Sequence, residues 1–258
     1  MVLEIKVLVQ ESNIEELMSS IEDLIVQHRM GASGKLQQLL DEKKTDFKLG
    51  VYATIDKCAT LGSVHTYYST WTIPCTPEEF IYFNTFQDKE TRKRTDSSCE
   101  IFDVLAAWQK DDIVFSLVYL RMAKFMIISG KETFYLKALK KIQDDETVTK
   151  WLEVNISIEN PSVPHKDDYK RINILKSGLT YTFDKQTGMT TVENYSNVVP
   201  QVPVGMLLLK PVLGSYYKSY IKNMVTSIEK EREEKKLDYE AGMRDLLAGK
   251  SLKYSSAS

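Results

Sequence analysis

The sequence has little of what nucleic-acid-binding proteins need. Its 258 residues contain 34 Lys and Arg against 36 Asp and Glu, which gives a formal net charge of −2 at pH 7. Proteins that bind nucleic acid usually carry a surplus of basic residues, because their basic side chains neutralise phosphates. The short basic run ETRKRTD (90–96) has no second basic cluster to support it. We therefore expect no nucleic-acid partner.

Cysteines and long apolar runs are also scarce. Cys58, Cys75 and Cys99 are odd in number and lack C-x-x-C spacing, which argues against a disulfide scaffold and a zinc site. The apolar run VGMLLL (204–209) is far shorter than a membrane span. The opening MVLEIKVLVQES lacks the basic and apolar regions of a signal peptide. These features predict a soluble, cytoplasmic protein.

Catalytic motifs are missing as well. The sequence has three histidines and no H-x-x-x-H pair, and it contains neither a G-x-S-x-G elbow nor a glycine-rich phosphate loop. The acidic pairs at 111–112, 144–145 and 167–168 fall in predicted turns, where solvated carboxylates are the usual reading. We expect no enzymatic activity, no metal and no cofactor.

The first 45 residues predict two helices. Apolar residues recur at helical spacing after the candidate N-cap residues Ser12 and Asn13. The positions are Ile14, Leu17, Ile21, Leu24 and Ile25. A break at GASG (31–34) precedes a second helical piece, KLQQLLDEKK (35–44).

From Phe47 onward the pattern is that of strands. Stretches rich in β-branched and aromatic residues follow one another with short turns, one of them at Ser177–Gly178, which predicts an antiparallel meander. One helix interrupts them, with Thr76 as N-cap and Pro77 in its first turn. A long terminal helix opens near Val202–Pro203. A curved sheet around a single helix tends to leave a lined cavity, and such cavities hold apolar ligands.

Four stretches resemble the START family (steroidogenic acute regulatory protein-related lipid transfer domains). FKLGVYATID (47–56) resembles the family's opening strand, and TRKRTD (91–96) falls where the family has Y-R-x-x-W-D. SGKETFYLKAL (129–139) falls at its R-D-F/Y motif, with Lys131–Glu132 for the Arg-Asp pair, and VPVGMLLLKPVLGSYYKSYIKNM (202–224) at the start of its last helix. Thr91 and Thr95 replace the aromatic residues of the second motif.

The resemblance implies an α+β helix-grip fold, in which a curved antiparallel sheet wraps around a long C-terminal helix and encloses a lipid cavity. It predicts a START-like lipid-binding domain at 46–232, with an N-terminal helical segment at 1–45 and a charged helical extension and tail at 233–258. The implied function is binding and transfer of one phospholipid or sterol. Two alternatives remain open: a non-catalytic structural subunit of a cytoskeletal or membrane-associated assembly, and an enzyme or hormone-type sensor on the same fold.

Arg92 and Asp96 match positions that meet and brace a lipid phosphate in phosphatidylcholine-binding members of the family. A planar guanidinium suits phosphate because it gives two parallel charge-assisted hydrogen bonds. The alternative is an ordinary surface pair at a helix end. Lys93 and Arg94 are expected to be solvated.

Further predicted lipid-binding residues line the expected cavity. They are Tyr67, Trp71, Trp108, Phe115, Tyr119, Lys131, Glu132 and Met206, and plain core packing is the alternative for each aromatic residue. The family's gating loop corresponds to residues 122–128, where Met122, Phe125, Met126 and Ile127 predict a membrane-contact loop; packing on the terminal helix is the alternative. The expected partners are a lipid, a transient membrane surface and a protein bound through the charged C-terminal helix, which a solvated face would explain equally well.

Overall fold

The computed structural model describes residues 13–29, 36–44, 47–86, 89–124, 130–158, 168–199, 206–234 and 238–248. Within these ranges the α-helices are α1 (Ile14–Arg29), α2 (Pro77–Ile81), α3 (Lys89–Thr95), α4 (Met206–Glu233) and α5 (Tyr239–Leu247), and a π-helical turn (Tyr82–Phe86) lies between α2 and α3. The strands are β1 (Gln37–Lys44), β2 (Phe47–Cys58), β3 (Gly62–Ile73), β4 (Cys99–Lys110), β5 (Ile113–Met122), β6 (Lys131–Asp144), β7 (Val148–Ser157), β8 (Lys170–Arg171), β9 (Asn173–Asp184) and β10 (Met189–Val199).

The strands form one ten-stranded sheet. Its order is β1-β2-β3-β10-β9-β7-β6-β5-β4, and the short β8 pairs in parallel with the start of β6. Every other pairing is antiparallel. A large antiparallel sheet with a long C-terminal helix confirms the predicted helix-grip class. Of the described helices, none is long and apolar enough to cross a membrane.

The predicted second helix is wrong, because residues 37–44 form the edge strand β1. The segment contains good helix formers, but it pairs with β2 from Gln37↔Ala53 to Lys44↔Phe47. Leu39 is buried in the core that the pairing completes. Pairing and burial outweigh the weak local preference for a helix. The charged residues of this stretch are typical of an edge strand, where they discourage pairing with another sheet.

The predicted turn at Ser177–Gly178 is also wrong, because β9 runs through it without a break. Gly178 instead lies where α1 approaches the sheet closely. A Cβ at this position would lie 2.5 Å from Cγ2 of Ile21 in α1 and 2.6 Å from the carbonyl oxygen of Glu153. The glycine therefore lets α1 sit directly on the sheet.

Helix α1 covers one face of the sheet, which we call the outer face. Its buried residues are Ile14, Met18, Ile21 and Ile25, at the spacing of a single helical stripe. They pack against alternate residues of the central strands, such as Phe134, Leu136, Leu152 and Val154. The predicted amphipathic helix is thus confirmed, and its apolar stripe faces the sheet.

Helix α4 covers the opposite face, which we call the interior face. Ile221, Met224 and Ile228 are buried there against Trp71, Tyr181 and other residues of β2, β3, β7, β9 and β10. Pro211 lies inside this helix. Residues 202–205, where the helix was predicted to open, lie outside the described residues. The division of the chain at residues 45 and 232 stays a prediction.

Helix α5 packs on the domain. Asp238 caps it by accepting a hydrogen bond from the Ala241 amide at 2.8 Å. Leu246 is buried beside Cys99 and Phe102, and the Tyr239 ring meets the Trp151 ring edge-on with centroids 5.7 Å apart. The described part of the charged extension therefore has one face against the core.

We predict that Gly178→Ala lowers the free energy of unfolding by about 1–3 kcal/mol, because the added methyl group would overlap Ile21 and a backbone carbonyl. Urea unfolding measures the loss. Gly214→Ala is the matched control, since the nearest atom to its Cβ would be Leu40 Cδ2 at 3.7 Å and alanine favours a helix by about 1 kcal/mol. Equal stability of the two variants would contradict the close packing of α1.

Candidate functional site

One end of the interior face is filled by aromatic side chains. Cross-strand pairing places Trp71, Val192, Tyr181 and Trp151 side by side in one row, which we call the aromatic row. Trp71 packs on Tyr217 of α4 with ring centroids 5.7 Å apart. Tyr181 packs in the same way on Phe80, at 5.3 Å. The space between sheet and helix is occupied at this level.

Four residues further along each strand, the row across the interior face is polar. Residues directly opposite one another in a sheet share a face, so the pairings bring one side chain from each of six strands together in a band that we call the polar row. Its members are Tyr67, Ser196, Ser177, Asn155, Lys137 and Ser116. Such a band is unusual on a face covered by a helix, because buried polar groups need partners.

Lys137 and Glu153 form an ion pair in the centre of this face. Nζ of Lys137 lies 3.3 Å from Oε1 of Glu153, and the two side chains are only 3% and 2% exposed. Glu153 also accepts hydrogen bonds from the Tyr181 hydroxyl at 2.8 Å and from Nδ2 of Asn155 at 3.0 Å. Burial lowers the pKa of Lys137, and Arg92 lowers it further, while Glu153 raises it.

Arg92 of α3 is the second buried cation and has no comparable partner. Its Nη1 donates to the Phe83 carbonyl oxygen at 3.2 Å and to Oδ1 of Asn84 at 2.7 Å. The guanidinium lies over the Phe102 ring, 5.0 Å from its centroid. Among the described residues, no carboxylate forms an ion pair with Arg92 and no atom accepts a hydrogen bond from its Nε. A buried charge in this condition is costly.

Asp96 lies one helical turn after Arg92 but is engaged elsewhere. Its Oδ1 accepts from the amide and the hydroxyl of Ser98, at 3.0 and 2.5 Å. Its Oδ2 accepts from the Tyr216 hydroxyl at 3.0 Å. Asp96 therefore ties the end of α3 to α4. The pKa of Arg92 is raised on balance: burial, the largest single effect, lowers it, but Tyr220, Asp96, Tyr135 and Tyr216 together raise it by more.

A fixed helix start positions Arg92. Oγ1 of Thr76 accepts from the Glu79 amide at 3.2 Å, and Oε2 of Glu79 accepts from the Thr76 amide at 2.8 Å. This capping box, with Pro77 in the first turn, is the start that the sequence predicts. The π-helical turn that follows presents the Phe83 carbonyl to Arg92, and such turns are frequent at functional sites.

Further buried polar atoms on the interior face have no protein partner within the described part of the chain. They are Nε2 of His65, Nε1 of Trp71 and Oδ1 of Asn155. His65 is 1% exposed, and its Nδ1 lies 2.7 Å from the Tyr67 hydroxyl. Few buried polar groups in native proteins lack a partner. Their concentration on one face indicates a site for a polar group from outside the chain.

The structure separates the predicted aromatic residues between the two faces. Tyr67 and Trp71 lie on the interior face with Arg92. Phe115 and Tyr119 belong to the cluster beneath α1, and Trp108 stacks on Phe115 with ring centroids 5.3 Å apart. The last three are therefore not brought together with Arg92.

Lys131 and Glu132 also face opposite sides, as successive strand residues must. Glu132 lies under the outer face, where Tyr119 donates to it at 2.8 Å and Nη2 of Arg171 at 2.9 Å. Lys131 is half-buried, and its charge lowers the pKa of His65, after the larger effect of burial. Met122 ends β5 and is half-buried. Phe125, Met126 and Ile127, and the side chain of Met206, lie outside the described residues.

Two described cavities lie on the outer face. A groove of about 780 Å³ is lined by His28, Tyr52, Tyr68 and Glu193 among others, and a smaller one of about 300 Å³ lies under the start of α1. Glu193 is fully engaged by Arg29 and Tyr68. In the described ranges, no three His, Cys, Asp or Glu side chains come together as a metal site would require.

START domains are among the solved structures with a similar fold. Human StAR-related lipid transfer protein 5 superimposes with a TM-score of 0.62 at 11% identity, over 86% of this chain and 99% of that one. Human STARD10 gives 0.60 at 12% identity, over 89% and 87%. A STAR-related lipid transfer protein from Xanthomonas axonopodis gives 0.51 at 10% identity, over 76% and 99%. The helix-grip fold of START domains, which the sequence resemblance implies, is thus confirmed.

The sequence itself matches no family model and no curated protein. The identities of 10–12% to the START structures make the likeness one of fold. Function must therefore be argued from the side chains of this chain.

We predict that Glu153→Gln destabilises the protein more than Lys137→Met does. The first variant strands a buried lysine whose one other partner in the described structure is the Thr85 hydroxyl at 3.3 Å, at a cost of about 3–5 kcal/mol. The second leaves Glu153 with two neutral donors, Tyr181 and Asn155. Urea unfolding of both variants tests the order. A larger loss for Lys137→Met would mean that the pair is not held as described.

Proposed function

We propose that this protein binds and transfers a single lipid, held between the interior face of the sheet and α4. An anionic group of the lipid meets Arg92, and the apolar part is kept from water. Burial of each CH₂ group contributes about 0.8 kcal/mol, which is sufficient to draw an acyl chain into a dry interior without covalent chemistry.

The observation that carries the proposal is the buried guanidinium of Arg92, which forms no ion pair with a carboxylate among the described residues. It is 9% exposed, and its Nε has no partner among the described residues. A phosphate or carboxylate oxygen would supply both the missing acceptor and the missing countercharge. A water molecule would supply only an acceptor, so an anionic ligand accounts for more of what is seen.

The fold supports the same reading. Its structural neighbours include a human StAR-related lipid transfer protein, with a TM-score of 0.62 at 11% identity, whose name describes lipid transfer. Tyr67, Trp71, Arg92 and the half-buried Lys131 are the predicted lipid-binding residues on the interior face. The other predicted contacts stay predictions. Trp108, Phe115, Tyr119 and Glu132 face the outer side and so lie away from the proposed site. Asp96 binds Ser98 and Tyr216, and the side chain of Met206 lies outside the described residues.

We predict that Arg92→Met weakens the binding of an anionic phospholipid by about tenfold or more, because methionine keeps the aliphatic stem and removes the charged fork. Displacement of a fluorescent phospholipid measures the change, and binding of cholesterol should not change. Arg94→Met, on the same helix, is the control: Arg94 is 39% exposed and pairs with Glu231 at 2.7 Å. Equal phospholipid affinity in Arg92→Met and the parent would remove Arg92 from the site.

The proposed membrane contact is formed by Met122 at the end of β5 and by Phe125, Met126 and Ile127, which follow it in the sequence. Apolar side chains in a loop insert into the membrane interface, and nearby lysines favour anionic lipid. A protein partner at the C-terminal helix and tail remains a further proposal.

We predict that replacing Phe125 and Met126 by Asp slows lipid extraction from vesicles severalfold and leaves the melting temperature nearly unchanged, since charged side chains do not enter the membrane interface. Vesicle-to-protein transfer of a fluorescent lipid and thermal unfolding are the two measurements. A large fall in melting temperature with normal transfer would show that the loop is part of the core.

A structural subunit without a ligand is the second candidate function. The filled aromatic row, with Tyr181 against Phe80 and Trp71 against Tyr217, favours it, because this part of the interior needs no lipid. Mass spectrometry of organic extracts from the natively purified protein separates the two. A stoichiometric lipid supports transfer, and its absence together with a stable, empty protein supports the subunit.

A further inference from the structure

The interior face carries a second polar feature, His65 on β3. Arg92 packs against Phe102 of β4, and β10, β9, β7, β6 and β5 separate β3 from β4 in the sheet. His65 pairs with Val198 at the end of β10. It therefore faces the interior at the end away from the aromatic row.

The hydrogen bond between His65 and Tyr67 bears on which ring nitrogen of His65 carries the proton. Burial raises the pKa of Tyr67, so its hydroxyl keeps its proton. In the described structure the hydrogen-bond partner of this hydroxyl is Nδ1 of His65, at 2.7 Å. This bond can form in either direction; when Tyr67 donates to Nδ1, the neutral imidazole carries its proton on Nε2.

Nε2 of His65 is buried and has no hydrogen-bond partner in the described part of the chain; in the tautomer set by donation from Tyr67 it is a donor without an acceptor. The imidazole stays neutral at pH 7, since burial and the charge of Lys131 both lower its pKa. A neutral donor discriminates between ligands by hydrogen bonding, because a ligand that lacks the matching acceptor leaves the donor unsatisfied.

We propose that His65 is a specificity-determining residue whose Nε2–H donates to a neutral oxygen of the bound lipid, the carbonyl of an acyl linkage or a hydroxyl. The inference rests on the proposed lipid-binding function. It adds that the ligand has two separate polar contacts, an anionic group at Arg92 and a neutral acceptor at His65.

Two substitutions separate this role from a structural one. His65→Gln places an amide NH₂ near the position of Nε2 and loses the acceptor for Tyr67. His65→Asn keeps an acceptor near the position of Nδ1 and loses the donor to the interior. A specificity role therefore predicts that Gln preserves ligand selectivity and Asn abolishes it, whereas a role in bracing Tyr67 predicts the reverse.

The experiment measures the binding of three probes to the full chain: diacyl phosphatidylcholine, its dialkyl ether analogue without carbonyls, and cholesterol. For His65→Asn we expect diacyl phosphatidylcholine or cholesterol to bind about fivefold to tenfold more weakly, as the loss of one hydrogen bond implies. The probe that weakens identifies the carbonyl or the hydroxyl as the acceptor. The ether analogue should bind parent and variant alike.

The outcomes are distinguishable. Unchanged affinity for every probe in His65→Asn, or weaker binding only in His65→Gln, overturns the inference and leaves the proposed function intact. Failure of the parent to bind any probe overturns both. Thermal unfolding of the two variants checks that each is folded before binding is compared.

Discussion

The central strands of this protein are buried on both faces, and that constraint governs the rest of the structure. Helix α1 covers the outer face and α4 the interior face. A strand with one face in water can leave its polar side chains there, but β6, β7 and β9 have no such face over their central residues. Each polar side chain on them must find a partner inside the protein or accept one from outside.

The two buried cations meet that constraint differently. Lys137 has a carboxylate beside it, and Glu153 in turn has two further donors, so the charge of this lysine is compensated. Arg92 has a backbone carbonyl, a side-chain amide and an aromatic ring, none of which carries a full negative charge. The first arrangement stabilises a fixed interior. The arrangement around Arg92 leaves its positive charge without a carboxylate partner among the described residues, which favours the binding of an anion.

The local pattern predicts the elements well and their surroundings poorly. The start of α2 can be predicted from Thr76 and Pro77, because a capping box depends only on four consecutive residues. The strand at 37–44 was missed, because its residues suit a helix and only pairing with β2 decides otherwise. The site residues Lys137 and His65 were missed too. A lone lysine in the apolar stretch YLKAL indicates a buried polar position. Which face of the sheet Lys137 lies on, and which helix covers that face, cannot be predicted from the stretch alone.

The START motif predicts that Asp96 braces Arg92, but in this chain the two side chains bind different partners. Arg92 occupies a buried site, as the motif implies, yet Asp96 is held by Ser98 and Tyr216. Thr95, at the motif's aromatic position, is buried and donates to the Arg92 carbonyl oxygen at 2.9 Å. With Asp96 engaged by α4 and a small hydroxyl where a ring would pack, nothing described on this chain neutralises the guanidinium directly. On the proposed function the lipid supplies the countercharge through an anionic group, and a neutral lipid would leave Arg92 as it is.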